Sequence, residues 1–124
     1  MSDSAGNPTL IKLSSGNIHD IDVAFEFLDE LPKITKNILA DKGYDSDLFR
    51  KSLISLGKIP TIPGRKNRRE KIEYDKEKYR ERHVVENLFC KLKQFRSIAT
   101  RFEKHAVNYL NMVILGCIVI WMKL

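Results

Sequence analysis

The chain has 124 residues, 43% of them hydrophobic, and a formal charge of +6 at pH 7. That is enough chain for one modest core and too little for two, and the hydrophobic content excludes a wholly disordered polymer. The longest unbroken apolar run, residues 112–122, falls short of the roughly 18–20 residues that span a bilayer, and the first ten residues lack the basic start and apolar block of a secretory signal.

AGNPTLIKLSS opens on a Gly6–Asn7–Pro8 turn and continues into a short alternating segment, which reads as the second arm of a hairpin whose first arm would precede Met1. Residues 19–32 predict a helix with Asp20 as N-cap and Ile21, Ala24, Phe25, Leu28 and Leu31 on one face, ended by Pro32. NILAD, residues 37–41, reads as a buried strand ending at Asp41, with Gly43 supplying the turn. Asp45 or Ser46 then caps a helix whose apolar set is Leu48, Phe49, Leu53 and Leu56, stopped by Gly57. KIPTIPG, residues 58–64, predicts another strand, with prolines that favour an edge. Strand, helix, strand, helix, strand is α/β order with at least partly parallel pairing. In such sheets ligand-handling residues sit just past strand C-termini, where Asp41 falls.

Charge is unevenly placed. Residues 1–57 carry six Lys and Arg against nine Asp and Glu, whereas residues 58–104 carry fifteen against seven. The second half is therefore where a polyanion would land. Its densest cluster is Arg65, Lys66, Arg68, Arg69 and Lys71, in a basic segment over 64–76 that is expected to be exposed and mobile. Phosphate contact is the functional reading and solubility the bland one; Lys42, Arg96, Arg101 and Lys104 extend the candidate DNA-binding set. Two helices follow, from about 76 to 94 and from about 105 to 123, joined by a basic link. Phe89, Phe95, Phe102 and Trp121 are core candidates, and the latter part of the last helix is expected to be buried around most of its circumference. Cys90 and Cys117 lack metal-ligand spacing and read as reduced core residues in a reducing, cytoplasmic compartment. His19, His83 and His105 do not form a zinc pattern.

On one continuous helix, Tyr79, Arg82, Glu86 and Lys93 fall within a stripe of about 60°, beside the arc of Val84, Val85, Leu88, Phe89 and Leu92. Surface ion pairing between Arg82 and Glu86 is one reading. The other is a hard divalent cation, Mg²⁺ or Mn²⁺, held by Asp41 and Glu86 beside a phosphate, with Arg82 and Lys93 neutralising phosphate charge and Tyr79 positioning a phosphate or stacking on a base. Asp41 also has a purely structural reading, as an acceptor of backbone hydrogen bonds in the Lys42–Gly43 turn.

ILADKGYDSD, IPTIPGRKNRR and the spacing Tyr79–x2–Arg82–x3–Glu86–x6–Lys93 resemble the C-terminal part of the DDE transposases of bacterial insertion sequences, whose tyrosine–arginine–glutamate–lysine signature this is. AGNPTLIKLSSGNIHD and SIATRFEKHAVNYLNMVILGCIVIW extend the likeness over essentially the whole chain. The resemblance implies an α/β, incomplete ribonuclease-H-like fold over residues 1–124, with first strands missing and two C-terminal helices. It implies Asp41 as second catalytic acid and Glu86 as third, both metal ligands in a completed site that cleaves and joins DNA strands at element ends and target. The family's first acid lies ahead of the segment that resembles residues 1–16. The chain by itself is therefore expected to be inactive: a gene relic, or a segment working with an upstream transposase segment or a full-length transposase. The alternative is a non-catalytic DNA-binding or transposase-interacting module.

Overall fold

The computed structural model describes residues 1–100 and 103–123, so Arg101 and Phe102 lie outside the described residues. The chain divides into two compact units, Ser14–Arg82 and Met1–Leu13 together with the chain from His83 onward, each with a small buried cluster of its own where length predicts a single core.

In the Ser14–Arg82 unit, α1 (Asp20–Glu26) runs into a 3₁₀ turn at Leu28–Glu30. The predicted cap is displaced by one residue. His19 occupies the N-cap position without a side-chain bond, and Asp20 and Asp22 lie in the first turn, where carboxylates suit the exposed N–H groups. β1 (Asn37–Leu39) and β2 (Ile59–Thr61) pair in parallel, with Asn37 opposite Ile59 and Leu39 opposite Thr61. The crossover is α2 (Asp47–Ser55), capped by Ser46, whose hydroxyl accepts the Phe49 N–H at 3.3 Å, and followed by Gly57 at φ +74°. The expected parallel α/β crossover is present.

Ala24, Phe49, Leu53 and Ile62 form this unit's core, with Phe25 packed edge-on to Phe49 at 5.3 Å. Leu48 and Leu56, placed in the apolar set by sequence, are exposed, while Arg50 and Lys58 are buried. Lys58 Nζ donates to the carbonyls of Thr35 at 2.6 Å, Pro32 at 2.7 Å and Lys33 at 3.4 Å, fastening the turn before β1 to the start of β2. Replacing Lys58 with Met keeps the stem but removes a charged donor from those carbonyls. The variant is expected to lose about 2–3 kcal/mol, read as a lower urea midpoint; an unchanged midpoint would contradict the tie.

α3 (Lys76–Arg80) is capped by Asp75, whose carboxylate accepts the Lys78 N–H at 3.0 Å. The single helix expected from about 76 to 94 is two helices. Winding tightens to three-residue bonds, Glu81 N–H to Lys78 O at 3.1 Å and Arg82 N–H to Tyr79 O at 3.0 Å, before α4 (His83–Leu92) begins. Residues 76–82 offer Tyr79 as their one apolar side chain, so no continuous buried face holds the two helices in one register.

In the other unit, α4, α5 (Arg96–Thr100) and α6 (Ala106–Trp121) enclose Leu88, Leu92, Ile98 and Cys117, with Ile11 packed against them. Gly116 permits this approach, since a Cβ there would lie 2.9 Å from Ile98 Cδ1. The opening turn is built by Asp3, whose Oδ1 accepts the N–H groups of Asn7 at 2.8 Å and Ala5 at 3.0 Å, with Gly6 at φ +83°. Its first arm lies within the chain, because Ser2 bridges Pro8 antiparallel and Met1 O accepts the Thr9 N–H at 3.0 Å. The expected second arm does not extend as a strand. Pro8 has no N–H to continue a ladder.

Several core expectations are corrected. Phe89 is 57% exposed, Cys90 is exposed, and Trp121 is 50% exposed although its Nε1 donates to Pro8 O at 2.5 Å. The latter part of α6 also exposes Leu115 and Ile118, and its C-cap residue Met122 is exposed as well. Apolar composition determined what α6 could bury, but among the described residues its side chains packed into the core are Tyr109, Val113, Cys117 and Ile120, which share one helical face. Among the described residues, no helix is long and apolar enough to cross a membrane.

Candidate active site

The chain leaves β1 with Ala40 N–H still donating to Thr61 O at 3.4 Å, and Asp41 follows in extended conformation. Asp41 caps a 3₁₀ turn over Lys42–Tyr44, its Oδ1 accepting the Gly43 N–H at 2.7 Å. A Cβ at position 43 would lie 2.8 Å from that same oxygen, so glycine is what lets the carboxylate fold back onto the turn. Asp41 Oδ2 faces Arg82 Nη2 at 3.4 Å, and the Arg82 guanidinium lies 6.0 Å from the centre of the Tyr79 ring. Asp41, Tyr79 and Arg82 thus come together within one unit, and the structural role of Asp41 in the turn coexists with a second oxygen that, among the described residues, faces Arg82 in a long ion pair.

Tyr44 closes this turn and is half-buried. Burial pushes its phenol up, the carboxylates of Asp20 and Asp41 add to that, and Arg82 opposes it. Asp20 therefore sits within electrostatic range of Tyr44, a placement that its helical position alone did not reveal.

An open cleft of about 610 Å³ is lined by Asp41, Lys42, Gly43, Pro63, Arg65, Lys66 and Tyr79. The basic segment beside it is exposed at Lys66, Arg69 and Lys71 and is tied to Asp45 at two points, the Arg65 N–H and the Arg68 side chain. Buried Asp45 is the anchor. Its Oδ2 accepts the Arg65 N–H at 2.8 Å, and its Oδ1 accepts from Arg50 Nη2 at 2.8 Å and Nε at 3.1 Å. Arg50 also donates to Ile62 O at 2.8 Å. Arg68 pairs with Asp45 at 3.3 Å and with Asp47, so its charge is largely spent inside the chain. The Arg65 guanidinium donates to the carbonyls of Gly43 at 3.1 Å and Lys42 at 3.3 Å. Burial alone would raise the Asp45 carboxyl. The Arg65 N–H, the Arg50 side-chain bond and charge, and the Arg68 charge outweigh it and hold the carboxyl below its ordinary value.

Glu86 and Lys93 belong to the other unit. Glu86 lies in the first turn of α4 and Lys93 just beyond its end, both exposed. The break before His83 means that the stripe expected of one continuous helix is shared between the two units, Tyr79 and Arg82 in one and Glu86 and Lys93 in the other. Arg96 and Lys104 are exposed. Among the described residues, no three His, Cys, Asp or Glu are grouped to hold a metal ion.

The transposase DDE domain family matches residues 1–122. The chain belongs to that family. A putative transposase for insertion sequence element IS6501 from Brucella ovis is 34% identical to this DDE domain over 122 residues, covering 98% of the chain and 93% of the relative. A putative transposase for insertion sequence element IS402 from Burkholderia cepacia is 28% identical over 130 aligned residues, covering 97% of the chain and 59% of the relative. No solved structure matches the DDE domain significantly. The resemblance carried by the Asp41 loop and the Tyr79-to-Lys93 spacing is thereby established as family membership, on a mixed α/β framework with a two-stranded sheet.

Proposed function

We propose that this DDE domain supplies two acids, Asp41 and Glu86, to divalent-metal-dependent cleavage and transfer of DNA strands, within an incomplete ribonuclease-H-like fold. The observation that carries the reading is the state of Asp41 just past the end of β1. Asp41 lines a cleft bordered by Lys42, Arg65 and Lys66, with one of its oxygens locked by Gly43 and the other turned to the signature residue Arg82.

The donor set suits a hard cation. Both acids present oxygen ligands, Asp41 and Glu86 are accessible, and Asp41 Oδ2 gives up only a 3.4 Å contact to accept an ion. Asp41 and Glu86 would hold Mg²⁺ or Mn²⁺, with the third acid carried on an upstream transposase segment. When bound, the metal stabilises charge on the phosphoryl oxygens during in-line displacement. The chain's own residues do the rest. The Gly43 bond fixes the Asp41 rotamer, Arg82 and Lys93 neutralise phosphate, Lys42, Arg65 and Lys66 receive the DNA backbone, and Tyr79 orients it. A second reading, a non-catalytic DNA-binding or transposase-interacting module, is favoured by the exposed charges of Lys66, Arg69 and Lys71 alone.

Nicking of supercoiled DNA bearing the element ends, in Mg²⁺ or Mn²⁺, separates the two. The chain by itself should leave the DNA intact, and adding an upstream Asp-bearing segment should start turnover. DNA binding without turnover in the reconstituted mixture would favour the second reading, and turnover by the chain alone would overturn the need for a third acid.

A further inference from the structure

We infer that Asp45, braced by Arg50, is a positioning residue that sets the cationic edge of the Asp41 cleft. The inference rests on the phosphate-binding reading above and concerns what makes that edge rigid. Asp45 lies in the loop between the Asp41 turn and α2, with a side chain that is 0% exposed. A buried carboxylate is costly unless its lone pairs are filled, and here they are filled from two directions. Oδ1 takes the fork of Arg50, which reaches on to Ile62 O; Oδ2 takes the backbone N–H of Arg65, twenty residues away in sequence.

Which part of Arg65 is held decides the consequence. Asp45 grips its main chain and leaves its guanidinium to extend to the Gly43 and Lys42 carbonyls, on the turn that carries Asp41. Arg65 therefore keeps its positive charge beside the cleft, uncancelled by the carboxylate that positions it. Arg68 has the opposite arrangement, with its charge directed onto Asp45 and Asp47. The hub thus sets Arg68, which braces, apart from Arg65 and Lys66, which line the cleft. Asp45→Asn preserves size but loses the negative charge, and one of its two arms becomes a donor facing a donor.

The test is the salt dependence of binding to a short mixed-sequence DNA duplex, with hydrogen exchange at the Arg65 amide as a second readout. Arg65→Ala with Lys66→Ala should reduce the magnitude of the salt slope by about 2, from roughly 0.9 for each phosphate contact. Asp45→Asn should reduce it by about the same amount, and should add nothing further in the background lacking Arg65 and Lys66. Arg65 amide exchange should rise at least about tenfold in Asp45→Asn while the Ile59 amide, paired in the sheet, stays protected. A wild-type slope in Asp45→Asn, an additive loss, or an unchanged Arg65 amide would overturn the inference. Should Asp45→Asn not fold, Arg50→Lys, which keeps the charge and loses the fork, is expected to show the same selective rise at Arg65; a uniform rise across the sheet would overturn the inference. If the Arg65 and Lys66 replacements themselves leave the slope unchanged, the phosphate reading fails first and takes the inference with it.

Discussion

Arg50→Met should destabilise the Ser14–Arg82 unit by about 3–5 kcal/mol, the usual cost of removing one member of a buried ion pair. The guanidinium is nine-tenths buried, and its loss strips two donors from Asp45 and one from Ile62 O. Asp45 would keep the Arg65 N–H and Arg68, too little to solvate a carboxylate with no access to water. The same pair governs acid sensitivity. Because the Asp45 carboxyl is held below its ordinary value of about 4, its contribution is complete above that pH and is lost as the pH falls through the lowered native value. Urea midpoints at neutral and acid pH should show a smaller acid-induced loss in Arg50→Met than in the wild type. A neutral-pH change below about 1 kcal/mol would place Arg50 among ordinary surface charges.

Asp41→Asn and Glu86→Gln should each lower nicking in the reconstituted system by about 100-fold or more, equivalent to roughly 3 kcal/mol of transition-state stabilisation. Stability should hardly change. The amide introduced by Asp41→Asn retains an oxygen for the Gly43 N–H, and Glu86 is exposed in the first turn of α4. DNA affinity should hold or rise in Asp41→Asn, since the carboxylate facing Arg82 no longer offsets its charge. A fall in turnover with binding intact is the signature of a group acting on the reaction. Equal losses of binding and turnover would instead assign Asp41 to the turn alone.

The crossover was legible because its signals are local. Ser46 caps, Gly57 stops, and the short apolar runs on either side are too brief for helices. The Asp41 turn was legible for the same reason, since a carboxylate two residues before a glycine specifies its own hydrogen bond. What could not be read depends on partners far along the chain. Nothing near Arg50 announces Ile62 O, nothing near Lys58 announces the carbonyls of residues 32–35, and Asp45 looks like a helix cap until Arg65 is found against it. The break after Arg80 was hidden because charged, helix-compatible residues run through it, and the missing ingredient is a buried face. Exposure along α6 was hidden because apolar sequence states what can be covered, not what is there to cover it.

Catalysis as proposed requires Asp41 and Glu86 to hold the same divalent cation. Paramagnetic broadening of backbone amide signals during Mn²⁺ addition to the DDE domain reads this directly. Residues 41–43 and 85–87 should broaden together at the same Mn²⁺ concentration, and either Asp41→Asn or Glu86→Gln should abolish both effects. Broadening confined to one of the two segments, or persisting at one when the acid of the other is replaced, would mean that the two acids do not share an ion.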